Sequence, residues 1–424
     1  MRLKDFAKSG NPKTLFSAFF YFDISFMIWV MLGPLGNSIT EEFNLSPTQK
    51  GIMVGVPLLT GSLLRLILGP LADRLGGRNT ALLGLSLTFI PLLMGGLVSD
   101  SFEIVLVIGL LLGIAGASFA VALPMASHWY PPEQQGMVMG IAGAGNSGTV
   151  LAALFAPRLA EALDSWRAVF LIAMIPLAVA WLVVALLAKD APGRPGPKSV
   201  SGYTSVLRYS DTLYFCLLYS VTFGGFVGLA SFLPIFFHDT YSLTKIEAGN
   251  FAALCVFAGS FIRPVGGYLA DKLGGIRMLL VLYSAIAVLA LMIGMMPSLI
   301  PQAILLTVLM TCLGAGNGSV FQIIPQRFPR EIGTITGIVG AAGGIGGFLL
   351  PYILGNMKDM TGSYSYGFLI YTSAAVGCVI LLWAVKKGWQ GTWLTMDGRA
   401  LVTDSADTPQ PVGQPTLPVL EVTG

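Results

Sequence analysis

Charge is scarce along these 424 residues: 11% are Asp, Glu, Lys or Arg and 54% are hydrophobic. Soluble domains carry about a quarter of their residues as charges, so a chain with a mean hydropathy of +0.77 is not one of them. Histidine is nearly absent. The two present, His128 and His238, fall near the ends of expected helices, where an imidazole packs at the membrane interface. Four cysteines (Cys216, Cys255, Cys312, Cys378) are scattered inside apolar stretches with no CxxC spacing, which argues against a disulfide framework or a metal site. No nucleophile–base pair or His/Cys/carboxylate cluster is visible either, so an enzyme is not expected, and neither is a cofactor. No cleavable leader is evident, because MRLKDFAKSGNPK runs directly into a full-length apolar span.

What is abundant is hydrophobic runs of membrane length. A bilayer core needs roughly 20 apolar residues per helix. Twelve stretches qualify, at about 15–36, 50–74, 79–98, 103–128, 135–160, 166–188, 211–237, 246–271, 276–296, 301–326, 332–357 and 366–386. With the N-terminus on the cytoplasmic side, 17 Lys and Arg fall inside and 5 (Lys50, Arg158, Arg167, Lys245, Lys358) outside, as the positive-inside rule requires. The net charge of +3 is then a topology signal, and no nucleic-acid face is expected. The chain divides into a six-helix bundle over 1–188, a Pro- and Gly-rich cytoplasmic linker over 189–210, a second six-helix bundle over 211–387 and a disordered cytoplasmic tail over 388–424.

Two basic residues belong to neither side. Arg65 lies in GSLLRLILGPLADRLGGR (61–78) and Arg263 in GSFIRPVGGYLADKLGGIR (259–277), each eight residues before an aspartate, Asp73 or Asp271. Eight residues is roughly 12 Å of helix rise, too deep for easy snorkelling. The arginines are 198 residues apart, and the glycine ladder Gly136, Gly140, Gly143 returns at Gly333, Gly337, Gly340 with an offset of 197. Two landmarks at nearly one offset indicate an internal duplication, hence two parallel halves.

Other residues resist the apolar background. Asp23 stands several residues inside the first span, on one helical face with Phe26, Met27 and Val30. A carboxylate there faces a cavity or a partner, or reaches back to the headgroups. The fifth and eleventh spans, GMVMGIAGAGNSGTVLAALFAP and GTITGIVGAAGGIGGFLLPYILG, carry glycines at the spacing that permits close helix packing. Asn146 interrupts the first of them and needs a polar partner. Tyr219 and Phe223 share a face of the seventh span. The turns after spans two and eight pair glycines (Gly76/Gly77, Gly274/Gly275) suited to positive φ with anchoring basic residues.

Twelve spans in two parallel halves, with GPLADRLGGR after the second and a weaker copy after the eighth, resemble the major facilitator superfamily. Within it, the deep arginines with AGAGNSG (142–148) and GIVGAAGGIGGF (337–348) resemble the nitrate/nitrite porter family. The resemblance implies a central site where Arg65 and Arg263 grip the anion. By the same resemblance Asn146 and Gly143 line it from helix five, Gly337 and Gly340 from helix eleven, Tyr219 and Phe223 from helix seven and Phe119 from helix four, with Phe26 and Trp29 of helix one. It assigns Gly69, Asp73, Arg74, Gly77, Arg78 and Asp271 to control of the conformational cycle. Gly343 stands where Asn146 would repeat, and Asp23 departs from the exchanger pattern, making it a proton-coupling candidate that could serve as counter-ion to the arginines. The expected partners are nitrate, nitrite, protons and the lipid bilayer of the inner membrane, with the protein acting as a monomer. Proton-coupled nitrate symport is the leading expectation. Nitrate/nitrite exchange, another small-anion porter and a non-transporting nitrate receptor are the alternatives.

Overall fold

The computed structural model describes residues 9–131, 135–192, 206–328, 332–390 and 392. Among these, twelve helices are long and apolar enough to cross a membrane. In chain order they are α1 (Pro12–Trp29, resuming at Gly36–Phe43), α2 (Pro47–Leu75), α3 (Gly77–Leu97), α4 (Phe102–Gly116, resuming at Phe119–Ser127), α5 (Gln135–Gly143, a 3-10 turn Ala144–Ser147, then Gly148–Ala162) and α6 (Trp166–Leu187). The second half has α7 (Ser210–Tyr241), α8 (Lys245–Phe261, resuming at Arg263–Leu273), α9 (Gly275–Gly294), α10 (Leu299–Arg327), α11 (Ile332–Thr361) and α12 (Ser365–Trp389). Each expected span corresponds to one of these, although four are broken and α1 runs on to Phe43, well past the apolar stretch that marks it. Of the expected linker, 193–205 lie outside the described residues, as do 391 and 393–424 of the expected tail.

The duplication shows in how helices begin and end. Ser46 opens α2 with a capping box, its Oγ accepting from Gln49 N (3.3 Å) while Gln49 Oε1 accepts from Ser46 N (2.8 Å). Thr244 opens α8 the same way with Glu247, at 3.2 and 2.9 Å. Such reciprocal caps satisfy two of the donors a helix start leaves free. Two residues before each cap the chain turns through a left-handed residue, Asn44 and Ser242, both with φ 52°. At the other ends of α2 and α8, Gly76 and Gly274 have φ of 93° and 90°. Of the glycine pairs expected at positive φ, only these first members adopt it. Gly77 and Gly275 begin the next helices and serve close approach: a Cβ on Gly77 would lie 2.9 Å from Met125 Cβ, and one on Gly275 2.4 Å from Ile323 Cγ1.

Let the face where α1 begins and α12 ends be the terminal face, and its opposite the far face. The halves meet mainly through glycine. On α11, Gly344 packs on Ser62 and Gly355 on the Pro47 carbonyl of α2, while Gly51 of α2 packs on the Pro351 carbonyl. Small residues let backbones touch, which is how apolar helices associate where lipid removes the hydrophobic drive. Toward the far face the same seam becomes polar. Lys50 Nζ meets Asp239 Oδ2 at 2.7 Å, and Tyr364 OH donates to the same oxygen at 3.0 Å. Lys245 pairs with Glu41 at 2.5 Å, Arg158 donates to Asn250 Oδ1 at 2.7 Å, and Thr48 N donates to Asp359 Oδ2 at 2.7 Å. Arg167 pairs with Glu42 and Lys358 donates to Gly362 O. All five basic residues expected on this face are therefore engaged locally, most of them across the two halves.

Candidate functional site

The deep arginines are presented by interrupted helices. In α8, Pro264 has no N–H to continue the ladder, so the helix breaks at Ile262 and restarts with Arg263. In α4 the break falls after Gly116, where Ala120 N bonds Ala117 O at 3.1 Å. The Gly116 carbonyl thus turns outward to a side chain. Arg65 takes it with both Nε and Nη2 (3.2 Å each), and Arg65 Nη1 donates to the Gly340 carbonyl of α11 at 3.0 Å. Arg65 is 1% exposed and Arg263 9%.

Around the guanidinium groups stand rings instead of carboxylates. Arg65 Cζ lies 5.3 Å from the Trp29 ring, 5.1 Å from Phe119 and 5.1 Å from Phe223. Arg263 Cζ lies 5.6 Å from the same Phe119 and 5.8 Å from Phe321. Both cations therefore share one aromatic ring. Tyr219 and Phe223 stack at 5.0 Å, and Tyr219 OH accepts from Arg263 Nη2 at 3.5 Å. Phe26 is wholly buried and meets Trp29 edge-on at 4.8 Å. Trp29 is fixed by its own donor, Nε1 to Pro57 O at 2.6 Å.

Two buried polar atoms here lack a partner among the described residues: Arg263 Nη1 and Asn146 Oδ1. Among the same residues neither guanidinium has a carboxylate within ion-pair distance. Ring faces and carbonyls soften the field of two buried cations by a few kcal/mol, well short of neutralising it. Chemically, two buried cations bounded by ring faces suit a small flat anion.

Seven of the expected residues are thus drawn together: Arg65, Arg263, Phe119, Tyr219, Phe223, Trp29 and Gly340, whose Cβ position lies 3.7 Å from Arg65 Nη1. Phe26 backs them as a second layer, and Asn146 sits buried on the 3-10 turn of α5. Gly143 and Gly337 are different, since a Cβ on either would meet no heavy atom within 4 Å. Each leaves open space at its Cβ position. Asp23 is buried too, but it accepts from Ser147 Oγ at 2.6 Å and pairs with neither arginine, so it is not their counter-ion here. The glycine at 343 has a steric cause: a Cβ would come within 2.6 Å of Tyr219 and 3.0 Å of Phe223. An asparagine there would displace the stacked rings.

At the turns, Arg78 N donates to Asp190 Oδ1 (3.2 Å) and Arg78 Nη2 to Ala185 O (2.7 Å), tying the turn to the end of α6. Asp271 accepts from Gln322 of α10 at 2.8 Å. Asp73 lines a small cavity with Gly77, Met125, His128 and Asp190. Gly69 and Arg74 lie on the same last two turns of α2.

Phe321, Gly116 and Ser147 belong to the site or its support and are not picked out by the sequence reading. Phe321 sits in a tenth span with no distinguishing motif. Gly116 acts through a carbonyl that any residue possesses. Ser147 adjoins Asn146 in AGAGNSG, which was the available signal.

The superfamily description "Major Facilitator Superfamily" matches residues 14–351. The chain is 33% identical over 378 residues to a Mycobacterium tuberculosis protein named probable nitrate/nitrite transporter NarK2, covering 87% of this chain and 94% of that one. It belongs to the nitrate/nitrite porter family of the major facilitator superfamily. Another relative, the nitrite extrusion protein of Bacillus subtilis, is 32% identical over 366 residues, covering 86% of this chain and 91% of its own. Among solved structures, a bacterial homolog of the human lysosomal transporter Spinster superposes with a TM-score of 0.60 at 18% identity, over 88% of this chain and 94% of that one. That likeness establishes the fold. This porter is a multi-pass membrane protein and not an enzyme.

Proposed function

We propose that this porter carries nitrate, and nitrite with it, across the inner membrane by rocking its two halves about the arginine pair. The observation that carries this reading is Arg65 and Arg263 buried around one phenyl ring with no carboxylate partner among the described residues, Arg263 Nη1 wholly unpaired. Nitrate is small, planar and weakly hydrated, so guanidinium forks can bond its oxygens in its plane while rings cover its faces. A phosphate site would want further donors. The names of the relatives support the same substrates. The 17-to-5 bias of basic residues favours a cytoplasmic terminal face with both termini inside, and the far-face seam then closes the periplasmic side of a monomer.

An inside-negative potential opposes entry of a monoanion by about 2.3 kcal/mol per 100 mV. We favour proton-coupled uptake because Asp23 is a carboxylate buried at membrane depth. The second reading is nitrate/nitrite exchange, favoured by the relative named for nitrite extrusion and by the absence of an Asp23–arginine pair. The test is uptake of labelled nitrate into proteoliposomes, with the pH gradient and internal nitrite varied separately and other anions as competitors. A pH gradient alone drives accumulation in the first reading, and internal nitrite alone in the second. If phosphate or organic anions compete as well as nitrite does, the substrate assignment fails. Binding without accumulation under either gradient identifies a receptor.

A further inference from the structure

We infer that Asp23 is a positioning residue for the anion site: it grips the 3-10 turn of α5 and so fixes where Asn146 is held. The turn Ala144–Ser147 is the single interruption of α5, and Asn146 stands on it. Such a turn has poorer hydrogen bonding than the helix on either side and needs an external hold to keep one geometry. Asp23 supplies that hold through its carboxylate, which accepts from Ser147 Oγ at 2.6 Å. That donor belongs to the residue immediately after Asn146.

The backbone of α1 is shaped to the turn as well. A Cβ on Gly148 would fall 1.8 Å from the Asp23 carbonyl oxygen, and one on Gly145 would lie 2.5 Å from Phe22 and 3.0 Å from Asp23 N. Glycine on both sides of Asn146 lets α1 press directly on the turn, with Asp23 at the centre of the contact. Asn146 Oδ1 has no hydrogen-bond partner among the described residues and the residue is 1% exposed, so that oxygen does not orient it. Where it stands is set by the backbone of the turn that Asp23 holds. The carboxylate of α1 thus acts on the site through a hydrogen-bonded turn, not through its field. This inference rests on the anion site of the proposed function and is independent of the coupling mode.

The test is a double-mutant cycle read by equilibrium binding of nitrate to the purified full chain, with thermal unfolding as the control for folding. Ser147→Ala should weaken nitrate binding about tenfold, the loss expected of one charge-assisted hydrogen bond, and Asp23→Asn, which keeps an acceptor oxygen but loses the charge, should weaken it several-fold. Ser147→Thr keeps the hydroxyl and should bind like the parent. In an Asn146→Ala background, Asp23→Asn should change affinity less than about twofold, because groups acting through one another are not additive. Full additivity, or nitrate affinity untouched in Ser147→Ala, overturns the inference. Should the parent bind neither nitrate nor nitrite, the functional reading fails separately. Hydrogen exchange of the turn amides, from 144 to 148, then decides the grip: protection in the parent lost in Asp23→Asn sustains it, and unchanged protection ends it.

Discussion

Replacing Asp239 by Asn should open the far face. Lys50 and Asp239 come from α2 and α7, so their 2.7 Å contact exists only while the halves are closed there. Removing one member of a fully buried pair costs about 3–5 kcal/mol, because the remaining charge is stranded. The side chains here keep 10% and 15% of their exposure. Lys50 therefore still reaches some water, which lowers the expected penalty to about 1–2 kcal/mol. Since the open state hydrates Lys50 whether or not Asp239 is charged, that penalty falls on the closed state alone. The closed-to-open ratio should then drop about 5- to 30-fold. Spin labels at positions 100 and 298, in far-face loops of the two halves, would report it by pulsed electron–electron distance measurement after the four native cysteines are replaced. The exchange of partners, Lys50→Asp with Asp239→Lys, should restore the parent distribution to within about twofold. Unchanged distances in Asp239→Asn, or no recovery in the exchanged protein, would refute the view that this pair latches the far face.

Three further outcomes are expected. Arg65→Lys should insert and fold yet lose nearly all nitrate uptake, because an ammonium cannot serve the Gly116 and Gly340 carbonyls together or present a planar fork; near-normal uptake in vesicles defeats the substrate-grip assignment. Gly77→Val places its Cβ 2.9 Å from Met125 Cβ, so with Asp73→Asn it should slow transport several-fold more than it weakens equilibrium nitrate binding. Equal losses in both assays would indicate misfolding. Asp23→Asn should lose accumulation driven by a proton gradient while retaining nitrate counterflow at saturating nitrate; accumulation equal to the parent's removes the basis for proton coupling.

How much of this was legible beforehand follows from the range of the physics involved. Hydropathy is a local sum, so the twelve spans could be read from residue order. That Arg65 and Arg263 would be buried away from the helix ends could be read too, because helix rise is constant. The breaks were only partly visible: Pro264 marks the one in α8, whereas those in α4 and α5 come without proline at the break, in glycine-rich runs that also suit unbroken close packing. Gly343 looked like a failed repeat of Asn146 until the Tyr219–Phe223 stack supplied its reason.

The chain by itself determined that two arginines would stand at equivalent places in the second and eighth spans, since a duplicated sequence repeats its local geometry, down to the capping boxes at Ser46 and Thr244. Only the tertiary structure decided what surrounds them. That Phe119 lies near both guanidinium groups, that Phe321 lies near one of them, and that Asp23 binds Ser147 instead of an arginine depend on how helices far apart in sequence cross. Crossing geometry is set by which small residues let backbones meet, and that is a property of pairs of helices that no single stretch contains.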